Sequence, residues 1–246
     1  GFSPEQFDLA ILPLHDKVKV KNSNHLLTIL GAPNRIFPKF LEENALKLRE
    51  SNRISSKRII GFLVGGNSGH SELLADELQK AVLALKNYAE STESSILVTT
   101  SRRTPDYVEQ MLKEELDGWE RCELLVFASS SNDNPVPGIL GLAELILVTE
   151  DSFSMVSEAA STGKKTVVLR VNRRPGKRLK YEEILNIMQT RQHIKRTNPK
   201  DLAQLLSEIE HSDEPFVELD DTRKAVERVK QLLCEEASEE EEKNGL

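Results

Sequence analysis

Apolar positions fall along this chain in two alternating rhythms. Arg58 to Val64, Ser95 to Thr99, Glu123 to Phe127, Leu145 to Val148 and Thr166 to Leu169 are apolar almost throughout, which predicts strands buried on both faces. Between them the spacing turns helical. Leu74, Leu78, Val82 and Leu85 mark a helix within Ser71 to Tyr88, and Pro105 opens another that runs to Leu116. Shorter helices are expected at Pro137 to Leu142, after Ser152, at Tyr181 to Met188 and at Pro199 to Ile209. Buried strands alternating with helices predict an α/β fold, a Rossmann-like parallel sheet with helices on both faces.

Residues 1–52 follow this rhythm less well. Phe7 to Leu12 and His25 to Leu30 read as short strands and Phe37 to Leu48 as a helix, before the polar, helix-poor stretch Glu50 to Lys57. The expected organisation is therefore the end or remnant of an N-terminal lobe over 1–52 and a Rossmann-like C-terminal lobe over 53–212. A terminal helix segment follows over 213–234, and a disordered acidic tail over 235–246. Within the terminal segment, Asp221 to Leu233 places Val226, Val229 and Leu233 on one face, expected to pack against the body.

Composition narrows the function. A chain of 246 residues with 38% hydrophobic positions can bury one sizeable core and a small second lobe. Its net charge of −7 offers no basic surplus for a nucleic-acid partner. Cys122 and Cys234 lie far apart, without metal-ligand spacing, and point to a reducing, cytoplasmic compartment. No apolar run is long enough to span a bilayer, and no signal-peptide pattern opens the chain. The sequence passes from Gly1 almost at once into a strand, so a preceding portion is expected outside it.

Candidate chemistry gathers where parallel strands end, which is where such sheets bind ligands. The strand Leu145 to Val148 meets the turn Thr149-Glu150-Asp151-Ser152 and then a helix that ends at Gly163. The free N–H groups and positive dipole end of that helix suit phosphate. On it Ser154, Glu158 and Ser161 share a face, with Val156, Ala159 and Ala160 turned to the core, and a carboxylate at Glu158 either accepts a ribose diol or is an exposed acid favoured by the helix dipole. Three more loops should converge there. Gly65-Gly66-Asn67 is neither a Walker loop nor a dinucleotide fingerprint, and serves either close ligand approach or a tight turn. Ser101-Arg102-Arg103-Thr104-Pro105 carries two guanidinium forks suited to a diphosphate. The polar loop Ser129 to Pro137, with Asn134, reaches a base or sugar or simply connects elements.

These residues carry a family resemblance. In order, Pro13-x-His15-Asp16, Asn24, Gly31-Ala32, Gly65-Gly66, Ser101 to Pro105, Asn134-Pro135, Leu142-Ala143, Val148 to Ala159 and Thr162-Gly163-Lys164 resemble the family of the plant mitochondrial-fission (elongated mitochondria) protein and its bacterial relatives. The resemblance runs to about Ile194. That family is similar to glycosyltransferases of the two-lobed B type, which implies that this chain is the C-terminal lobe of such an architecture with a truncated first lobe. It implies Ser152, Phe153, Ser154 and Met155 at the phosphates of a nucleotide sugar and Glu158 at the ribose. Lys164-Lys165 departs from the small-residue-plus-proline ending usual there.

Two function classes follow. The first is a nucleotide-sugar-binding, glycosyltransferase-like protein. It would need no cofactor and no metal, since no Asp-x-Asp is present, with backbone amides and Arg102 or Arg103 stabilising the leaving diphosphate. His15, oriented by Asp16, is the candidate base, or else a structural histidine at the domain junction. The second is a non-catalytic scaffold that meets protein partners, peripheral to a membrane, through its terminal helix and acidic tail. A nucleotide-sugar epimerase is set aside for want of a Tyr-x-x-x-Lys spacing. Whether the chain is an enzyme stays open between the first two.

Overall fold

The structure, a computed structural model, describes residues 6–14, 25–131 and 133–244, with side chains to 234. In chain order the elements are β1 (Ala10–Pro13), β2 (Leu26–Ile29), α1 (Pro38–Asn52), β3 (Ile59–Val64), β4 (Ser71–Glu72), α2 (Ala75–Ser91), β5 (Ser95–Thr100) and α3 (Asp106–Leu116). They continue as β6 (Cys122–Val126), α4 (Val136–Leu142), β7 (Leu145–Thr149), α5 (Phe153–Ala160), β8 (Lys165–Leu169), β9 (Asn172–Arg173), α6 (Glu182–Thr190), β10 (Lys195–Thr197), a single 3-10 turn at Pro199–Asp201, α7 (Leu202–Glu210) and α8 (Asp221–Asn244).

Among the described residues, six strands form one parallel sheet in the order β10-β8-β7-β3-β5-β6. Side chains alternate across it with the period of a strand. Ile59 and Leu63 of β3, with Ile146 and Val148 of β7, join a core that also holds residues of α4, α5 and α6. Ile60, Phe62 and Val64, with Leu145 and Leu147, join an opposite core with α2, α3 and α7. The expected doubly covered parallel sheet is what the chain forms.

α1 packs on α4, where a Cβ on Gly138 or Gly141 would meet Leu48 or the Leu41 carbonyl. The helix assigned from sequence to the first lobe therefore lies in the layer that covers the main sheet. β1 and β2 pair in parallel as a separate small sheet. The residues after β2 are anchored by side chains: Gly31 N–H donates to Asp221 Oδ2 at 2.6 Å, Ala32 N–H to Ser157 Oγ at 3.1 Å and Asn34 N–H to Thr222 Oγ1 at 3.0 Å.

Two expectations change. Ser71–Glu72 do not begin a helix but pair antiparallel with Asn172–Arg173, a partner a hundred residues away in sequence. On α8 the face turned inward is Asp221, Ala225, Arg228 and Leu232, while Val226, Val229 and Leu233 are exposed, because only the first turns of the helix meet the body. The backbone of α8 is helical to Asn244, over the span of the acidic tail; glutamate is a good helix former.

Lys164, the departure noted above, has a structural task. Its Nζ donates to the carbonyls of Leu140 at 2.7 Å and Gly141 at 2.8 Å, placing a cation at the C-terminus of α4. Burial lowers its pKa, as expected for an ammonium drawn into the protein. Lys164→Ala is expected to lower stability by about 1–2 kcal/mol in a urea melt. A loss of only a few tenths would show that the ammonium is not the cap.

Candidate functional site

The strand order creates one special place at the edge of the sheet. The chain moves outward from β3 to β5 and β6, then returns to β7 on the other flank of β3. Beyond the carboxyl ends of β3 and β7 the connections diverge, and open parallel sheets bind ligands at such a switch point. Here the loop after β3 and the turn after β7 are knitted together. Gly65 N–H donates to Thr149 Oγ1 at 2.7 Å and Gly66 N–H to Asp151 Oδ2 at 2.6 Å. The loop after β5 closes over them: Asn67 N–H donates to Arg103 O at 3.0 Å, and the Thr104 hydroxyl to Gly65 O. Ser101 N–H donates to Thr104 Oγ1 at 2.9 Å and Arg103 N–H to Ser101 Oγ at 3.2 Å, leaving the Arg102 and Arg103 side chains exposed at the rim.

Gly66 has no room for a side chain, because a Cβ would lie 2.1 Å from the carbonyl carbon of Arg103. The close approach its sequence context suggested is to a neighbouring loop. Asn67 is similarly occupied, its Oδ1 accepting Leu73 N–H at 2.8 Å.

α5 starts beside this edge. Ser152 is its N-cap residue, and the first amide taken up inside the helix is Val156 N–H, on Ser152 O at 3.0 Å. The amides of the first turn thus lie outside the intrahelical ladder, at the positive end of the dipole. The Phe153 ring stacks on Tyr181 with centroids 4.7 Å apart, and the Tyr181 hydroxyl donates to Asp151 O at 2.7 Å. Ser154 is exposed and Met155 packs against the core. Glu158 is half-buried one turn on, with no hydrogen bond or ion pair among the described residues, and burial raises its pKa. Ser161, expected on the same face, is instead buried and accepts Asn34 Nδ2–H at 3.0 Å. Gly163, at φ +66, ends the α5 segment in the left-handed conformation that glycine tolerates.

A family model for mitochondrial fission ELM1 matches residues 1–233. The chain belongs to the mitochondrial fission ELM1 family. The mitochondrial fission protein ELM1 of Arabidopsis thaliana is 26% identical over 146 residues, 59% of this chain and 33% of that protein. An uncharacterized protein of Rickettsia prowazekii is 28% identical over 142 residues, 56% of this chain and 38% of the other. The chain thus matches well under half the length of either relative. Among solved structures it is similar to MnaA of S. aureus determined with UDP, at 15% identity and a TM-score of 0.48, over 87% of this chain and 55% of that one. It is also similar to WaaG, a glycosyltransferase involved in lipopolysaccharide biosynthesis, at 15% identity and a TM-score of 0.45, over 76% and 48%. Among the described residues no helix is long and apolar enough to cross a membrane, and no group of His, Cys, Asp and Glu is arranged to hold a metal ion.

In this ELM1-family chain, then, Gly65, Gly66, Asn67, Ser101 and Arg103 are brought into one hydrogen-bonded edge with Asp151, at the head of α5. Asn134 is not brought in. Its Oδ1 accepts Val136 N–H at 3.2 Å at the start of α4, and it lines a separate cavity of about 270 Å³ with Asn44, Leu48 and Asn52. His15 and Asp16 lie outside the described residues.

Sequence reasoning passed over the two acids that organise the turn. Glu150 is fully buried, and its carboxylate accepts from Arg173 Nη1 at 2.6 Å, Arg196 Nη2 at 2.8 Å and Val171 N–H at 2.8 Å. Glu182 bridges the same two arginines, which hold its carboxyl below the usual range against the opposing effect of burial. Asp151 is 5% exposed, and burial pushes its pKa up to about 6 although the Thr149 hydroxyl, Gly66 N–H and Arg103 oppose the rise. The available signal was the pair itself, since two adjacent acids directly after a wholly apolar strand must each find donors or lose charge.

Proposed function

We propose that this chain binds the diphosphate of a nucleotide sugar at the N-terminus of α5 and forms the donor side of a glycosyltransferase-like protein. The observation that carries the proposal is Glu158. It is a half-buried carboxylate with no protein partner among the described residues, one turn into a helix that opens at the switch point of a parallel sheet. A ribose diol supplies the two donors such a group lacks. The N-terminus of α5 at Ser152, Phe153, Ser154 and Met155 takes the phosphates, and the rim guanidinium groups of Arg102 and Arg103 pair with their outer oxygens. Were the chain active, these donors would stabilise the departing diphosphate electrostatically, with no metal required of the protein. Asn134 is left to α4 in this reading.

A second reading, a non-catalytic scaffold acting through a protein partner, is favoured by one feature. The stripe of Val226, Val229 and Leu233 on α8 is apolar surface left exposed among the described residues.

Thermal-shift titration with UDP, GDP, ADP and CMP separates the two. One base is expected to raise the melting temperature selectively, the stabilisation reaching about 2.7 kcal/mol at a hundredfold excess over Kd. Glu158→Ala is expected to weaken that nucleotide at least about tenfold, the range for a hydrogen bond to a charged group. No shift with any of the four would overturn the nucleotide proposal in favour of the scaffold.

A further inference from the structure

The Asp151 carboxyl group is shut inside the carboxyl edge of the sheet. Oδ2 accepts Gly66 N–H at 2.6 Å, while Oδ1 is buried and has no hydrogen-bond partner among the described residues. Its surroundings are few and can be named. β7 supplies the Thr149 hydroxyl, and the loop after β3 the Gly66 amide. The loop after β5 supplies the charge of Arg103, and the approach to α6 supplies Tyr181, whose hydroxyl is directed to the Asp151 carbonyl. Glu150 is adjacent in sequence, but its carboxylate is committed to Arg173 and Arg196. Among the described residues no donor meets Oδ1 at hydrogen-bond geometry, and the Thr149 hydroxyl and the Asp151 amide only partly offset the cost of a buried charge.

The position of this group gives that cost a use. α5 begins two residues further on in the chain, so a negative Asp151 and an anion at the first turn would draw on the same helix dipole. Like charges sharing a poorly solvated site favour protonation of one of them. We propose that Asp151 is a proton-linked gate on the phosphate seat: an anion binds at the head of α5 together with one proton, taken from solvent by the Asp151 carboxyl group. The gate rests on the nucleotide reading above and adds its regulation.

The sign follows from linkage. Free Asp151 is protonated below about pH 6 and charged above it. The bound anion raises that value further, so between the two values binding takes up a proton. Affinity then falls as pH rises above about 6, by up to about tenfold per pH unit, and levels off once the higher value of the complex is passed.

The test is isothermal titration calorimetry with UDP-glucose, GDP-mannose and ADP-glucose across roughly pH 5 to pH 8, in two buffers of different ionisation enthalpy. Their diphosphates are esterified at both ends and so lack the second phosphate ionisation near pH 6. The expected result is weakening with rising pH, with a buffer-dependent heat that reports proton uptake, and an Asp151→Asn protein that loses this weakening and keeps only the opposite trend of Glu158, whose raised pKa makes it a better ribose acceptor as pH rises. Should that variant not fold, carbon-13 NMR of the Asp151 carboxyl in the unaltered chain must show its titration moving to higher pH when the probe is added. Affinity independent of pH with equal heats in both buffers overturns the gate and leaves the nucleotide reading standing. Absence of binding by all three probes at every pH overturns the nucleotide reading, and the gate with it.

Discussion

Gly66→Ala is expected to destabilise the folded chain by about 3–5 kcal/mol, a fall in melting temperature on the order of 10 °C for a domain of this size. The added methyl would sit 2.1 Å from the Arg103 carbonyl carbon, 2.2 Å from its oxygen and 2.5 Å from the Thr104 nitrogen. All three are backbone atoms, so no side chain can swing aside. The loops after β3 and β5 must separate, which breaks Asn67 N–H to Arg103 O and strains Gly66 N–H to Asp151 Oδ2. Overpacking contributes about 1–3 kcal/mol and each lost hydrogen bond about 1. The matched control is Gly69→Ala in the same loop, where a Cβ meets nothing within 4 Å. It is expected to stay within about 0.5 kcal/mol of the unaltered chain. Equal melts for the two variants would show that the loops do not approach as described.

Glu150→Ala is expected to be comparably damaging, at about 3–5 kcal/mol in a urea or thermal melt. The carboxylate is fully buried, as is nearly all of Arg196. Its removal leaves the Arg196 guanidinium short of an acceptor, and Arg196 Nε already has none among the described residues. Breaking one partner of a buried pair is far more costly than replacing both, because the remaining charge stays desolvated. The Val171 amide is orphaned as well, although the backbone pairing of β7 with β8 and the Glu150 N–H to Leu169 O bond remain. Glu150→Gln keeps an acceptor for Val171 N–H and is expected to fall between the two. A loss no larger than the half kilocalorie or so typical of surface sites would mean that the cluster is not closed to water.

The elements best predicted from sequence are those whose own residues settle the matter. β3, β5, β7 and β8 lie within a residue or two of their expected spans, because strands covered on both faces must be apolar throughout. α8 begins at Asp221 as expected, yet its inward face was assigned to the wrong stripe. Periodicity identified Val226, Val229 and Leu233 as a face, and only the docking of the first turns against Gly31 and Asn34 turned Ala225 inward. β10 went unpredicted because Lys195-Arg196-Thr197 is polar; it is a strand through its pairing with β8. The candidate site divides in the same way. The open N-terminus of α5 and the placement of Glu158 on it were legible from residue spacing, whereas the burial of Asp151 and Glu150 was not.

Hydrophobic rhythm and turn chemistry were enough to establish a parallel α/β sheet with phosphate-compatible chemistry at its carboxyl edge. These are local properties, set by which residues a strand or helix can bury and by which amides a helix start leaves open. Strand order, and therefore the switch point between β3 and β7, came only from tertiary structure, since nothing in β7 itself says on which side of β3 it pairs. The same holds for charge. Adjacent acidic residues just before a helix start look alike in sequence, but depth of burial and the supply of nearby donors made Glu150 a paired ion and left one Asp151 oxygen without a hydrogen-bond partner among the described residues. Desolvation depends on everything packed around a group, and that is decided when the loops after β3, β5 and β8 fold over the same edge.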